Sequence, residues 1–256
     1  MKILPEEQYK YVKLLLPDGS KAEGHEVLLH ACCAPCSSAI VECMLRNGMK
    51  PTVFFSNSNI YPLEEYETRK QEIIRFLAQQ GVPYIEDEYN HDEWRKAVTG
   101  LENEPERGSR CSVCFQFRLK RAAAYAQTHG IHLLTTTLAS SRWKNIKQID
   151  MAGHFAVEDC PEVEWWEQNW RKGGLQMRRN ELLHINDFYN QLYCGCEFSL
   201  ASSNAMNKET DHREKEQGGK AKLDHKSTKW SWSQLSQFRI PIPSPKYVYI
   251  NYFLSN

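Results

Sequence analysis

Short apolar runs alternate with longer segments of helical periodicity along most of this chain. The apolar runs are typical of buried strands and lie at 27–29, 52–55, 82–86, 131–134 and 162–166. The segments with helical spacing lie at 35–46, 63–80, 112–129, 145–155 and 175–189. This alternation predicts an α/β fold, with a mainly parallel sheet and helices on both of its faces. Ligands of such folds bind beyond the carboxyl ends of the strands, so residues that directly follow a strand are the candidates for a site.

The predicted strands and helices fall in the central part of the chain. They cover residues 26–200, which is long enough for one α/β domain with a sizeable core. Residues 1–25 are mixed and polar, contain the turn Pro17-Asp18-Gly19, and are predicted to form a loosely attached extension. Residues 201–256 begin with a segment rich in Ser, Asn, Lys, Glu and Gly, which buries too little apolar surface to fold. We predict that this tail is disordered or weakly docked.

Composition and charge exclude several functional classes. Of the 256 residues, 41% are hydrophobic and 25% are charged, as in soluble globular proteins. No apolar run approaches the roughly 20 residues of a membrane span, and the first residues are too polar for a signal peptide. We therefore expect a cytoplasmic protein with no membrane partner. The net charge of zero argues against general polyanion binding, although basic stretches at 110–121, 142–147 and 171–179 could present one basic face to RNA.

Cysteine is frequent in this chain and strongly clustered. There are nine cysteines, and seven of them belong to three tight groups at 32–36, 111–114 and 194–196. Because a reducing compartment disfavours structural disulfides, this clustering indicates metal binding or redox chemistry. Cys43 and Cys160 stand alone, and we expect neither to take part in that chemistry.

The first two groups form a candidate metal site. Cys32 and Cys33 lie where the first strand meets a helix, and Cys111 and Cys114 lie at the start of a later helix. The positive end of a helix dipole favours the thiolate, which is the form that binds metal. These four cysteines suit either zinc or an iron–sulfur cluster. Zinc sites usually separate paired cysteines by about two to four residues, so the adjacent pair favours the cluster.

The other clustered cysteines have several open roles. Cys36 could ligate a further metal, help to bind substrate, or close a disulfide with Cys33. Cys33-Ala34-Pro35-Cys36 resembles a thioredoxin-type motif, but Cys32 is surplus to a dithiol and the strand order is not that of thioredoxin. Cys194-Gly195-Cys196 would close a small, strained and easily reduced disulfide ring, which suits an electron relay. The same pair could also supply two further metal ligands.

Five motifs together resemble those of a known enzyme family. In chain order they are Leu28-Leu29-His30-Ala31-Cys32-Cys33-Ala34-Pro35-Cys36-Ser37, Asn59-Ile60-Tyr61-Pro62, Arg110-Cys111-Ser112-Val113-Cys114-Phe115, Thr135-Thr136-Thr137-Leu138 and Tyr193-Cys194-Gly195-Cys196-Glu197-Phe198-Ser199. Over residues 26–200 the chain resembles the QueH family of epoxyqueuosine reductases, and the combination of motifs is highly specific.

The resemblance implies a fold, an activity and a set of site residues. The fold would be Rossmann-like and related to the adenine nucleotide alpha hydrolases. The activity would be the cobalamin-independent reduction of epoxyqueuosine to queuosine at the wobble position of tRNA. The partners would be tRNA carrying epoxyqueuosine and an electron donor that the sequence does not identify. Residues 26–200 would hold a [4Fe-4S] cluster and a redox-active pair, with Cys36 left for an additional iron. The implied cluster ligands are Cys32, Cys33, Cys111 and Cys114, and the implied redox-active pair is Cys194 and Cys196.

Two functions of other classes are also compatible with the residues. One is a cytosolic thiol–disulfide oxidoreductase that uses Cys33 and Cys36. The other is a zinc-stabilised RNA-binding module without catalysis. Bound iron distinguishes the reductase from both, because neither alternative requires it.

Overall fold

The five apolar runs form one parallel sheet, as the alternation predicts. Its strands are β1 (Glu26–His30), β2 (Lys50–Phe55), β3 (Tyr84–Glu86), β4 (Leu133–Thr136) and β5 (Glu164–Trp165). Their order across the sheet is β3-β2-β1-β4-β5, and all neighbouring strands are parallel. The chain moves outward from β1 to β3 and then returns to the other side of β1 at β4. This reversal opens a crevice beyond the carboxyl ends of β1 and β4, where open α/β sheets bind ligands.

Helices cover both faces of the sheet, which confirms the predicted fold class. They are α1 (Ala34–Arg46), α2 (Leu63–Gln80), α3 (His91–Ala97), α4 (Ser109–Thr128), α5 (Ile146–Val157) and α6 (Leu175–Ile185). On β1, Val27 and Leu29 belong to the core that contains residues of α1, α2 and α6. Leu28 points to the opposite face and packs with residues of α4 and α5. A strand enclosed on both faces has no polar side, which explains its continuous apolar sequence.

The structure is a computed structural model and describes residues 12–204. The predicted tail at 201–256 lies outside the described residues, except for 201–204, which belong to a helical segment at 197–204. No helix among residues 12–204 is long and apolar enough to cross a membrane. The domain limits given above stay a prediction.

Residues 12–25 are held against the domain, whereas the sequence indicates a loose attachment. The side chain of Leu14 is 4% exposed and lies in the same core as α1. The Leu14 amide donates to Oδ1 of Asn47 at 2.9 Å, and Nε1 of Trp166 donates to the carbonyl of Leu15 at 3.0 Å. The polar composition of this segment does not predict the attachment, because the attachment depends on one buried leucine and a few backbone groups.

Gly153 allows α5 to pack closely on the last strand. A Cβ at this position would lie 2.1 Å from Cε2 of Trp165, a distance that real Cβ atoms do not reach. We expect Gly153→Ala to lower the free energy of unfolding by about 2 kcal/mol, because overpacking a core costs about 1–3 kcal/mol while alanine regains up to about 1 kcal/mol of helix propensity. Urea unfolding measures this loss. The double variant Gly153→Ala with Trp165→Leu should lose less unfolding free energy than the sum of the two single variants. Exact additivity would contradict a close contact between position 153 and Trp165.

Candidate active site

Three cysteines lie together at the junction of β1 and α1. Cys33 immediately precedes α1 and has an extended backbone, and Pro35 occupies the first turn of the helix. The sulfurs of Cys32, Cys33 and Cys36 lie within 4.8 Å of one another. Among residues 12–204, this is the single group of three or more thiol, imidazole or carboxylate ligands that are so close. The strand–helix junction therefore builds a compact thiol cluster at the crevice of the sheet.

The three thiols are electrostatically unequal. The pKa of Cys32 is well below its usual value, because the thiols of Cys33 and Cys36 hydrogen-bond to its sulfur and Lys144 and Arg118 add positive charge. Burial raises the pKa of Cys33 well above its usual value. The pKa of Cys36 is raised to about 11, mainly by its hydrogen bond to Cys32. A thioredoxin-type nucleophile needs an accessible thiol with a lowered pKa, so the buried Cys33 does not favour a Cys33–Cys36 exchange reaction.

His30, the last residue of β1, is buried next to this junction. Its side chain is fully buried, with Nδ1 2.7 Å from Oγ1 of Thr136 and Nε2 3.2 Å from the carbonyl of Ser56. Since a carbonyl only accepts, Nε2 carries the proton and Nδ1 accepts from the threonine hydroxyl. Burial and the nearby Arg118 lower the pKa of His30 to about 3, so the ring is neutral. It ties together the ends of β1 and β4 and the chain after β2.

The second cysteine group lies at the start of α4, on another side of the crevice. Cys111 accepts a hydrogen bond from the Arg107 amide at 3.3 Å. Cys114 is buried beside Trp94, Val98 and Cys196, and burial raises its pKa to about 12. The sulfurs of this pair are not within 4.8 Å of the Cys32 group.

The third group, Cys194 and Cys196, lies near the second. Burial raises the pKa of Cys111 and of Cys114, and the nearby sulfurs of Cys194 and Cys196 raise both further. Nζ of Lys144 donates to the sulfur of Cys194 at 3.4 Å, and burial raises the pKa of Cys196. All nine cysteines are free thiols in this structure.

One cavity of about 790 Å³ joins the three groups. Cys32, Cys36, Cys111, Cys194 and Cys196 line it. Cys33 and Cys114 are buried and do not line the cavity. The lining contains one carboxylate, Glu106, and a large excess of cations. These cations are Arg69, Arg107, Arg110, Arg118, Arg142, Lys144 and Arg179. The cavity therefore attracts anions even though the whole chain carries no net charge.

Arg118 places a positive charge in the wall of this cavity. Its side chain is 2% exposed and lies on α4, one helical turn after Cys114. It donates to the carbonyl of Ser56 at 3.0 Å and to Oδ1 of Asn57. It forms no ion pair with a carboxylate within residues 12–204, and a buried charge without a counter-charge is costly. A negatively charged group in the cavity would supply that counter-charge.

Arg69 holds the loop that carries Cys194 and Cys196. Its side chain is 1% exposed and forms an ion pair with Glu65 at 2.6 Å. It also donates to the carbonyls of Tyr193 at 3.3 Å and Cys194 at 3.2 Å. Gly195 has φ of +125°, and a Cβ there would lie 2.9 Å from Nη1 of Arg69. Glycine is therefore needed between the two cysteines for both its backbone conformation and its small size.

Removing Arg69 should release this loop. We expect Arg69→Met to lower the free energy of unfolding by about 3–5 kcal/mol, the range for breaking one side of a buried ion pair. It should also make residues 190–196 sensitive to limited proteolysis. Arg75→Met is a control on the same helix, because its ion pair with Glu72 is 50% exposed on the arginine side and should contribute about 0–1 kcal/mol. Equal losses of unfolding free energy in the two variants would contradict the role of Arg69 in holding the loop.

Sequence reasoning missed Arg69 as a site residue and gave Arg118, Lys144 and Asn59 no individual role. Arg69 and Arg118 lie in amphipathic helices, where an arginine usually indicates the solvent face. The available signals were the basic stretches at 110–121 and 142–147, which contain Arg118 and Lys144, and the motif and turn-rich loop that contain Asn59. Oδ1 of Asn59 is buried without a hydrogen-bond partner, and the residue lines the cavity.

Comparison with protein families identifies the relatives of this chain. The family model described as epoxyqueuosine reductase QueH matches residues 27–202. The chain belongs to this family. The QueH relative from Haemophilus influenzae is 45% identical over 206 residues, which cover 80% of this chain and 82% of the relative. The QueH relative from Acinetobacter baylyi is 43% identical over 193 residues, which cover 75% and 87%. Membership of the QueH family makes this chain an oxidoreductase and confirms the resemblance seen in its motifs.

A solved structure with a similar but distant fold was also found. The U34-tRNA thiolase NcsA from Methanococcus maripaludis, with its [4Fe-4S] cluster, is 12% identical and aligns with a TM-score of 0.42. The alignment covers 75% of this chain and 68% of that chain. A similarity at this level carries no inference about the QueH site of this chain.

Proposed function

We propose that this chain reduces the epoxide of epoxyqueuosine in tRNA and so forms queuosine. The observation that carries the proposal is the convergence of three cysteine groups on one basic cavity at the carboxyl ends of β1 and β4. The printed names of the relatives supply the substrate. The cations of the cavity suit a polyanionic RNA, and its size allows a modified nucleoside to enter.

The reaction converts an epoxide into an alkene and water, and it requires two electrons and two protons. We propose that a [4Fe-4S] cluster takes part, held by the thiolates of Cys32, Cys33, Cys111 and Cys114. When bound, such a cluster would pass electrons singly, and an additional iron beside it could act as a Lewis acid. Cys36, which lies in the compact group with Cys32 and Cys33, is available for an additional iron.

The donor set and its surroundings fit a group of this kind. Every proposed ligand is a thiol, and several sulfurs accept hydrogen bonds from side chains or backbone. Nε2 of Gln191 donates to Cys33 at 3.0 Å, Oγ1 of Thr137 to Cys32 at 3.6 Å, and the Arg107 amide to Cys111 at 3.3 Å. Such donors stabilise negative charge on a metal-bound sulfur and tune its potential. The buried Arg118 adds a fixed positive charge beside the same sulfurs.

Cys194 and Cys196 are proposed as the pair that delivers the electrons. Oxidation of two thiols to one disulfide releases two electrons and two protons, which is the amount that the epoxide consumes. Nζ of Lys144 donates to Sγ of Cys194 at 3.4 Å, which places a cation beside this sulfur. An external reductant must then restore the dithiol, and its identity stays open.

Polar groups of the cavity wall can hold the nucleobase. Oδ1 of Asn59 and Oε1 of Gln191 are buried acceptors without a partner among residues 12–204, and both residues line the cavity. A buried acceptor without a partner is costly, so a donor from the substrate would stabilise the complex. The N–H groups of a guanine-like base provide such donors.

The test is anaerobic incubation with tRNA that contains epoxyqueuosine, together with a chemical reductant, followed by nucleoside analysis. We expect epoxyqueuosine to disappear and queuosine to appear in equal amount. Protein that contains iron and sulfide but forms no queuosine would contradict the proposed reaction. Colourless protein with zinc in place of iron would instead support a zinc-stabilised RNA-binding module.

A further inference from the structure

Trp143 is an exposed aromatic residue at the mouth of the cavity. Its side chain is 75% exposed, and it lies between two other cavity residues, Arg142 and Lys144. The four other tryptophans within residues 12–204 are all at most 5% exposed. Tryptophan buries a large apolar area when it finds a partner, so an indole left in solvent beside a functional cavity indicates a surface for a ligand.

The exposure of Trp143 does not result from a loose loop. Nε of Arg107 donates to the Trp143 carbonyl at 2.7 Å, and Nη2 of Arg171 donates to the Lys144 carbonyl at 2.7 Å. The Lys144 amide also donates to the carbonyl of Ser141 at 3.2 Å. Two arginines from different segments thus fix the carbonyls of Trp143 and of the residue that follows it. The indole is held in solvent by a pre-organised loop, which lowers the entropic cost of binding.

The charge around Trp143 matches an RNA backbone. Arg107, Arg142 and Arg179 line the cavity with it, and none of the three forms an ion pair with a carboxylate within the described residues. Phosphate groups are the natural counter-charge for such arginines. An aromatic ring among free cations is the usual combination for binding single-stranded nucleic acid, in which bases stack and phosphates are neutralised.

We infer that Trp143 stacks on an unpaired base of the anticodon loop next to the wobble nucleotide, while Arg142 and Arg179 contact the flanking phosphates. This inference rests on the proposed function, because the wobble nucleotide enters the cavity only if its base leaves the loop stack. A nucleotide that is extruded exposes the face of its neighbour, and a ring at the cavity mouth covers that face.

The loop is also linked directly to the proposed metal site. Arg107 has φ of +69°, a left-handed conformation that is unfavourable for a residue with a side chain. In this conformation its amide donates to the sulfur of Cys111 at 3.3 Å and its side chain donates to Trp143 at 2.7 Å. Strained residues of this kind persist where the surrounding contacts require them. The stacking surface is therefore held at a fixed position relative to one proposed cluster ligand.

The experiment measures RNA binding directly, so it does not depend on turnover. The full-length chain is titrated into a fluorescently labelled anticodon stem–loop with unmodified guanosine at the wobble position, and anisotropy gives the dissociation constant. We expect Trp143→Ala to weaken binding about tenfold, since stacking of one base on an aromatic side chain contributes this much or more. Trp143→Phe should keep most of the affinity. Met151→Ala is the matched control, because Met151 is 73% exposed and lies outside the cavity lining.

The phosphate contacts have a separate readout. Arg142→Gln should lower the slope of log affinity against log salt by about one, the effect of losing one phosphate contact. Lys172→Gln changes an exposed cation that does not line the cavity and should leave the slope unchanged.

A Trp143→Ala variant that binds the stem–loop as tightly as the parent protein overturns the inference, and so does a Trp143→Phe variant that binds no more tightly than Trp143→Ala. Failure of the proposed function appears differently, as an absence of queuosine formed by the unchanged protein.

Discussion

Replacing any one of Cys32, Cys33, Cys111 or Cys114 by alanine should lower bound iron and abolish turnover. Each thiolate is proposed to hold one corner of the cluster, and the four positions come from two helix starts. Loss of a group that only supports a metal ligand costs about 10- to 100-fold in affinity or activity, so loss of a ligand should exceed that range. Iron and sulfide analysis and the visible absorption of anaerobically purified protein measure the effect.

Cys160→Ala is the matched control for these four variants. Cys160 is a buried thiol in the core between α4 and α5 and does not line the cavity. The Cys160→Ala variant should retain its iron. This control separates the loss of a ligand from a general effect of removing a buried cysteine. If all four ligand variants keep full iron and sulfide, the ligand assignment is wrong.

The double variant Cys194→Ser with Cys196→Ser should show the opposite pattern. Its cluster absorption should stay nearly intact, while turnover with a mild reductant collapses. Each single variant should be as inactive as the double, because a disulfide needs both thiols and residues that act as one unit are not additive. A single turnover with a strong chemical reductant should survive, since it can bypass the dithiol.

Peptide mapping gives an independent test of this pair. After mild oxidation of the parent protein, a bond between Cys194 and Cys196 should be found, because one residue separates the two thiols. A mild reductant should break it again, since a strained small ring is easily reduced. Loss of iron in the double variant would instead make these cysteines metal ligands. An active protein in which this bond never forms would exclude the electron relay.

The positions of the strands and their parallel direction could be predicted from the sequence, because burial on both faces leaves continuous apolar runs that alternate with helices. Their order across the sheet was not predicted. The edge strands are shorter than predicted. The run at 82–86 gives β3 at Tyr84–Glu86, and the run at 162–166 gives β5 at Glu164–Trp165. An edge strand pairs on one side alone, so its ends have fewer ladder hydrogen bonds to keep them regular. The helix α4 begins at Ser109, three residues before its predicted start, because the carboxylate of Glu104 accepts from the Ser109 amide at 2.9 Å.

The gathering of motifs at one edge of the sheet was also predictable. The Cys32 group, the loop after β2 and the residues after β4 all follow strands, and members of each line the same cavity. The roles of the individual cysteines stay a prediction. The buried arginines were not predictable, because their partners are distant in the chain. Arg69 donates a hydrogen bond to the carbonyl of Cys194, and no local pattern in α2 predicts a contact with a loop 125 residues away.

The placement of the thiols in the topology has a consequence for how the protein matures. Cys32 and Cys114 are separated by two strands and three helices. The loop with Cys194 is held by Arg69 of α2, which lies 125 residues earlier in the chain. During synthesis the first cysteines therefore leave the ribosome long before their partners exist. With the proposed ligand set, iron and sulfide would have to reach a nearly complete domain. Their binding should then protect the domain against unfolding, since binding to a site absent from the unfolded chain adds to folding stability.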